Sequence, residues 1–186
     1  WGKLYRRDFL IQNEIRHTPY PFTQDRAFNM KCYLACPRYE FVDASVYLYR
    51  VNREGVTFSY KKNFREVWIR IGREIDTVMA EKASKMKAGD LVSLHLLLGI
   101  YYFGKQEIMQ GQKKGRIIRS ELRDYMNDPT VQKYTQLYFR ERYGKELGSP
   151  TWHLFFTALA VVVRRKWNTA AYMMFRILLA LQVENR

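Results

Sequence analysis

Residues 91–103, LVSLHLLLGIYYF, form a nearly continuous apolar run that only Ser93 and His95 interrupt. As a helix that rises about 1.5 Å per residue, this run would extend about 20 Å, whereas the hydrocarbon core of a membrane is about 30 Å thick. Two structures fit this length. The run is either a core helix buried by the rest of the protein, or a short membrane helix lengthened by Lys105 and the neighbouring tyrosines.

The segments around this run also have helical patterns. Residues 63–88 carry apolar side chains at steps of three and four residues, which is the spacing of an amphipathic helix. Asp128-Pro129 and Ser149-Pro150 each combine a capping residue with a proline, which is typical of a helix start. The sequence therefore predicts a mainly α fold with several long helices.

Residues 151–183 form a second strongly apolar segment, and Arg164-Arg165-Lys166 interrupts it. Three adjacent cations make a clean membrane span unfavourable. The pattern instead favours a helix in the membrane interface, or one packed on a partner helix.

The first third of the chain reads differently. Residues 1–44 are predicted to be an extended N-terminal arm, with a short helix before Pro19 and irregular structure after it. Residues 45–62 predict a small β-hairpin, because strand-forming residues flank an Asn-Arg-Glu-Gly turn. Residues 63–186 would then be the helical region.

Charge is the strongest compositional feature of the 186-residue chain, which has a formal net charge of +14. Such an excess favours an anionic neighbour such as RNA, anionic lipid or an acidic protein surface, although a basic solvated surface would give the same total. Aromatic residues make up 16% of the chain, which suits cores and interfaces. The chain begins at Trp1, which we interpret as a removed targeting segment or a missing start.

Enzyme signatures such as GxSxG, GxGxxG, HExxH and the Walker loop are absent from the sequence. His17, His95 and His153 are far apart along the chain, and Cys32 and Cys36 lack the further ligands that a structural metal site needs. We therefore expect a non-catalytic protein with no metal and no cofactor.

Two cation clusters next to apolar segments are the candidate lipid- or phosphate-contacting residues. They are Lys113, Lys114, Arg116, Arg164, Arg165 and Lys166. The basic stretch 61–65 is a further phosphate candidate, in which Tyr60 and Phe64 could stack on bases. Glu107, beside Lys105, is either half of an ion pair that fixes a partner helix or part of a solvated helix end.

The segment 96–105, LLLGIYYFGK, resembles the membrane helix of the small accessory subunits of e and g type in mitochondrial ATP synthase. In that family a glycine-bearing apolar helix runs into a charged helical extension, as this chain does at Lys113–Arg123. The resemblance implies a non-catalytic inner-membrane subunit that shapes the complex and contacts lipid. The chain departs from the family because Gly99 and Gly104 are five residues apart, so the GxxxG packing face is not reproduced.

Together these features predict an accessory subunit of a large mitochondrial inner-membrane complex, either ATP synthase or the respiratory chain. It would lie on the matrix side and contact other subunits and anionic lipid. The alternative is a mitochondrial ribosomal protein that binds rRNA through basic loops. Cations gathered at the ends of apolar helices favour the membrane, whereas the arm 17–40 carries few cations for RNA.

Overall fold

A computed structural model describes residues 2–36, 38–48, 55, 59–81, 89–141 and 149–181, and this part of the chain contains eight α-helices. The helices are α1 (Arg7–Gln12), α2 (Gln24–Ala35), α3 (Phe64–Glu81), α4 (Gly89–Met109), α5 (Gly115–Asn127), α6 (Pro129–Arg140), α7 (Pro150–Arg164) and α8 (Asn168–Ala180). The prediction of a mainly α fold is confirmed.

Helix α4 lies at the centre of the fold and packs against α3, α5, α6, α7 and α8. Within its apolar run, Val92, Leu96, Leu97 and Ile100 are each at most 1% exposed. Apart from the exposed Tyr102, the run 91–103 is therefore buried or half-buried by other helices of the same chain. No helix in the described part of the chain combines the length and the apolar content that a membrane crossing requires.

Two glycines of α4 allow three bulky residues to approach this helix closely. A Cβ at Gly99 would overlap the indole of Trp68 and the hydroxyl of Tyr125, and a Cβ at Gly104 would overlap the ring of Phe175. The side chains that lie against these two glycines belong to α3, α5 and α8 of this chain.

Two predicted helix starts are confirmed. Helix α6 begins at Pro129, and Asp128 Oδ1 accepts a hydrogen bond from the Thr130 amide at 2.9 Å, which satisfies one of the free N–H groups of the first turn. Helix α7 begins at Pro150 after Ser149, but the serine side chain makes no capping hydrogen bond.

The N-terminal arm contains more regular structure than predicted. Helix α2 occupies residues 24–35, where irregular structure was expected, and its Ala27, Met30 and Leu34 are buried in the main core. These residues recur at steps of three and four, so that one face of α2 packs against the core. Tertiary packing of this kind stabilises a short helix that would be marginal alone.

The predicted β-hairpin at 45–62 is not seen. Residues 45–48, 55 and 59–62 are not in a strand. The other residues of this segment lie outside the described part of the chain. The chain at Lys61 is instead fixed to α4, because the Gln106 side chain accepts from the Lys61 amide at 2.7 Å and donates to its carbonyl at 3.0 Å. These bonds use the backbone groups that a strand would need for pairing.

Candidate lipid- and phosphate-binding surface

The C-terminal helix pair, α7 and α8, differs in charge from the rest of the chain. Residues 149–181 contain no Asp or Glu, and their cations are Arg164, Arg165, Lys166 and Arg176. The two helices contact each other, and each also packs on α4. An anionic partner at this surface would therefore meet no carboxylate from the described residues of either helix.

A tight turn separates the two helices and exposes three cations. The Lys166 amide donates to the Val163 carbonyl and the Trp167 amide to the Val162 carbonyl, each at 3.0 Å, which is the hydrogen-bond pattern of a Schellman motif. Lys166 occupies the position of this motif that favours glycine, with φ of 56°. The turn lies at the run Arg164-Arg165-Lys166, which was predicted to interrupt the apolar segment 151–183, and all three of its side chains are exposed.

Both helices and the turn between them expose large apolar side chains. The exposed apolar residues of α8 are spaced four residues apart, so they form one stripe along the helix. The exposed residues of the pair include Trp152 (50%), Leu154 (70%), Trp167 (55%), Met173 (50%), Ile177 (55%) and Leu181 (59%). We call this set, together with Arg164, Arg165 and Lys166, the C-terminal surface. Trp beside Lys and Arg at the edge of an apolar stripe is typical of helices that lie in a membrane interface.

The cations of the C-terminal surface lack the carboxylate partners that other cations of the fold possess. Lys133 pairs with Asp76 at 2.7 Å, and Arg73 pairs with Asp128. By contrast, within the described part of the chain no carboxylate lies within salt-bridge distance of Arg164, Arg165 or Lys166. Arg164 instead lies over the ring of Phe139, with its guanidinium carbon 5.4 Å from the ring centroid. These charges are available to an external anion.

A second group of cations lies where α5 and α8 pack together. Asn168 donates to the Arg119 carbonyl at 2.8 Å, and the Tyr172 hydroxyl lies so close to Gly115 that a Cβ there would meet it at 2.8 Å. The helices are therefore antiparallel, with the start of α5 beside the middle of α8. The guanidinium carbons of Arg119 and Arg176 lie 5.6 and 6.0 Å from the centroid of the Tyr172 ring.

The structure divides the predicted cluster at Lys113, Lys114 and Arg116. The Lys113 ammonium group lies 2.8 Å from Glu121 and 3.3 Å from Glu107, and these carboxylates raise its pKa against the opposing effect of burial. Lys113 therefore joins α4 to α5 inside the protein. Lys114 and Arg116 are exposed at the start of α5 and stay candidates for phosphate contact.

Glu107 is buried, with 2% of the residue exposed, so it is not part of a solvated helix end. Its Oε1 accepts from the Tyr60 hydroxyl at 2.7 Å, and its ion-pair partner is Lys113. Lys105 is half-buried on the preceding turn of α4. The carboxylate thus fixes elements of this chain to one another rather than a helix of a partner.

Of the two aromatic residues predicted to stack on bases beside the stretch 61–65, Phe64 is buried and Tyr60 is partly exposed. Phe64 is buried and stacks on Trp68 with ring centroids 4.9 Å apart, and the Tyr60 hydroxyl is bonded to Glu107. Burial and this carboxylate together raise the pKa of Tyr60. The Lys61 ammonium group donates to the Ser59 carbonyl and hydroxyl, each at 2.5 Å.

The histidines and cysteines occupy separate environments. His95 is fully buried, whereas His17 and His153 are exposed. Cys32 is a buried free thiol whose pKa is raised to about 11, mainly by burial, and Cys36 is a half-buried free thiol. Among the described residues, no three His, Cys, Asp or Glu side chains are grouped as a metal ion would require.

Three residues of the second group of cations, Arg119, Tyr172 and Arg176, were not predicted as site residues from the sequence. Tyr172 and Arg176 are four residues apart, which places them on one face of a helix and was visible in the sequence. Arg119 lies beside them only because α5 packs on α8, and no local sequence pattern predicts that contact.

Comparison of the chain with protein families, with curated proteins and with solved structures finds no match in any of the three.

Proposed function

We propose that this chain is a non-catalytic accessory subunit of a large mitochondrial inner-membrane complex, either ATP synthase or the respiratory chain. It attaches to anionic lipid on the matrix side through the C-terminal surface, and it contacts neighbouring subunits through the exposed part of its N-terminal arm. The observation that carries the proposal is the pairing, on α7 and α8, of exposed apolar side chains with cations that have no carboxylate nearby.

The membrane interface fits this pairing better than water or RNA does. Exposed apolar area gains free energy on leaving water, about 25 cal/mol per Å². Each Lys or Arg near an anionic leaflet adds about 1 kcal/mol. RNA phosphates would use the cations of the C-terminal surface but would leave Leu154, Met173 and Ile177 in water.

The arm has a different chemistry, which suits a protein neighbour. Between residues 38 and 48, Phe41 is 91% exposed, Val42 78% and Leu48 90%, and this stretch contains no helix or strand. Its charged residues are Arg38, Glu40 and Asp43, so it does not share the strong positive charge of the whole chain. Exposed apolar residues on an irregular segment are typical of contacts formed within an assembly.

Support for a non-catalytic role comes from the positions of the titratable groups. His95, the histidine of the core, is closed off from solvent, and Asp76, Glu107 and Asp128 are each engaged in internal ion pairs. These arrangements hold the fold together, and the described residues of α7 and α8 include no Asp or Glu that could form an acid–base pair.

Vesicle flotation with the full chain tests the attachment. We expect the chain to float with vesicles of phosphatidylcholine and phosphatidylglycerol, and to stay unbound with phosphatidylcholine alone. Ile177→Ser, or Met173→Ser, should weaken binding several-fold. Ile11→Ser is the matched control, because Ile11 is 56% exposed and Ile177 is 55% exposed. Equal binding by the Ile177 and Ile11 variants would remove the C-terminal surface from the proposal.

The ribosomal alternative is favoured by one observation, the burial of the run 91–103 inside the protein, since both apolar segments of a ribosomal protein would form core. Native electrophoresis of mild-detergent extracts from mitochondria separates the two functions. An accessory subunit should migrate with an inner-membrane complex and be unaffected by ribonuclease. Migration with ribosomal particles, abolished by ribonuclease, would establish the alternative.

A further inference from the structure

We propose a phosphate-binding site where α5 meets α8, built around Tyr172 from Arg119 and Arg176, with Lys114 and Arg116 at its edge. Its ligand is a phosphate group, carried either by a lipid headgroup or by a soluble phosphate ester. The site goes beyond attachment of the C-terminal surface, because it requires no apolar contact and would bind phosphate in the absence of a membrane.

The first observation is that two guanidinium groups share one aromatic ring. Each lies within 6.0 Å of the centre of the Tyr172 ring, so the two are no more than about 12 Å apart. The ring attracts both cations and so keeps them near each other despite their mutual repulsion. A phosphate that both groups contact would relieve that repulsion, and guanidinium groups bind phosphate oxygens through paired N–H donors.

The second observation is that neither arginine is neutralised. In the described part of the chain no carboxylate forms a salt bridge with Arg119 or Arg176. The acidic residues of α5 are directed elsewhere, since Glu121 pairs with Lys113 at 2.8 Å and Asp124 lies 3.8 Å from Arg65. Helix α8 itself contains no acidic residue.

The third observation concerns the start of α5, which reaches the same ring. Gly115 is the first residue of α5 and lies against the Tyr172 hydroxyl, with no acidic side chain in the first turn and no side-chain cap. The partial positive charge of this helix end adds to the charges of Lys114 and Arg116. The Tyr172 hydroxyl, at this end of the ring, can donate to a phosphate oxygen.

The decisive measurement is titration calorimetry of the full chain with two soluble probes, inorganic phosphate and glycerophosphoglycerol, which is an anionic lipid headgroup without acyl chains. We expect at least one probe to bind. The double variant Arg119→Gln/Arg176→Gln should bind it at least tenfold more weakly. Arg176→Lys should lose part of the affinity, because it keeps the charge but not the paired donors.

The matched control removes the same charge from other sites. Arg70 lies over the Tyr20 ring at 5.6 Å, as Arg119 lies over Tyr172, and Arg140 is an exposed arginine on α6. Arg70→Gln/Arg140→Gln should bind the probes as the unaltered chain does. Equal weakening in the two double variants would show only general charge attraction and would overturn the site. Failure of the unaltered chain to bind either probe would overturn it as well.

Vesicles containing phosphatidylglycerol distinguish the two sources of phosphate. If Arg119→Gln/Arg176→Gln weakens binding both to vesicles and to glycerophosphoglycerol, the ligand of the site is a lipid headgroup. If it weakens binding to inorganic phosphate alone, the ligand is a soluble phosphate ester. Both results support the site. Binding of a polynucleotide that depends on the two arginines, with no binding of the small probes, would replace it by an RNA contact. The Ile177→Ser flotation result stays independent of these outcomes.

Discussion

The guanidinium of Arg26 on α2 donates from Nε to Nδ1 of His95 on α4 at 2.9 Å, in the interior of the protein. The other imidazole nitrogen, Nε2, lies 2.9 Å from the Trp68 carbonyl, and the Trp68 indole donates to the His95 carbonyl at 2.6 Å. The imidazole is therefore neutral, with its proton on Nε2, and joins α2, α3 and α4. Burial and, to a smaller extent, the nearby Arg26 charge lower the pKa of His95 to about 3, against the opposing effect of the hydrogen bond with the Trp68 carbonyl.

The pKa of His95 predicts how the free energy of unfolding depends on pH. In the unfolded chain a histidine titrates near 6.5, so between about 6.5 and 3 the unfolded state binds a proton that the folded state does not. The stabilisation is thus complete above pH 6.5 and is lost as pH falls, at up to about 1.4 kcal/mol per pH unit. Urea unfolding at pH 7, 6 and 5 measures this slope.

The variant His95→Gln isolates the contribution of this histidine. Gln can accept from Arg26 and donate to the Trp68 carbonyl but does not titrate, so we expect lower stability at pH 7 and a flatter slope between pH 7 and 5. His153→Gln, at an exposed position, should keep the original slope. A slope that is the same in the chain and in His95→Gln would mean that His95 is not protonated on unfolding.

Replacing Lys166 by glycine should have opposite effects on stability and on lipid binding. Its left-handed conformation, with φ of 56°, costs a residue with a Cβ about 1 kcal/mol. Lys166→Gly should therefore raise the free energy of unfolding by about 0.5–1 kcal/mol. The same change removes a cation from the C-terminal surface, so binding to anionic vesicles should fall by about fivefold.

Arg165 provides the contrast at the same helix end. Its φ is −82°, so Arg165→Gly relieves no strain and should lower stability, while it removes an equal charge. Thermal unfolding and vesicle flotation on both variants make the comparison. If Lys166→Gly destabilises the chain, its conformation is not strained, and if it binds vesicles unchanged, Lys166 does not face the lipid.

Removing the hydroxyl group from each of two buried tyrosines should change the free energy of unfolding differently. Among the described residues Tyr125 Oη has no hydrogen-bond partner, and burial raises the pKa of this group well above its usual value. Tyr125→Phe should therefore leave stability unchanged or raise it by up to about 1 kcal/mol. Tyr134 donates to Asp76 Oδ1 at 2.5 Å, and Tyr134→Phe should cost about 1 kcal/mol or more. Urea unfolding of both variants measures these changes. A loss of stability in Tyr125→Phe comparable to that in Tyr134→Phe would show that the Tyr125 hydroxyl is hydrogen-bonded.

The helical fold was predictable from local patterns, whereas the choice between core and membrane for 91–103 was not. Periodicity and proline signals fix where helices start, because they depend on neighbours in sequence. Burial of α4 depends on five other helices, and Trp68 and Phe175 reach Gly99 and Gly104 from distant parts of the chain. Length and hydropathy alone left two structures open, and only the packing distinguishes them.

The contacts of the predicted cations could not be predicted from sequence, for a similar reason. A cation beside an apolar helix is visible in sequence, but its partners are not. Lys113 is engaged by Glu107 and Glu121, whereas Arg119 gains a shared ring with Arg176 through the pairing of α5 and α8. Helix α2 was missed because flanking prolines suggested irregular structure, although its apolar residues already had helical spacing.

The close contact of Gly104 with Phe175 predicts a coupled pair of substitutions. Gly104→Ala places a methyl group on the Phe175 ring, which is fully buried and packs edge-on against Tyr101 with centroids 5.5 Å apart. The overpacking costs about 1–3 kcal/mol, and the higher helix propensity of Ala returns up to about 1 kcal/mol. We therefore expect Gly104→Ala to lower the free energy of unfolding. Phe175→Leu alone should lower it too, through lost packing.

In the double variant Gly104→Ala/Phe175→Leu, the smaller side chain makes room for the methyl group, so the loss should be smaller than the sum of the two single losses. Gly72→Ala is the control, because its Cβ would meet Leu96 and not Phe175. It gains the same helix propensity and should be additive with Phe175→Leu. Urea unfolding of the single and double variants measures the coupling energy of Phe175 with Gly104 and with Gly72. Additivity in the Gly104 cycle would mean that α4 and α8 do not approach each other as closely as the contact of Gly104 with Phe175 requires.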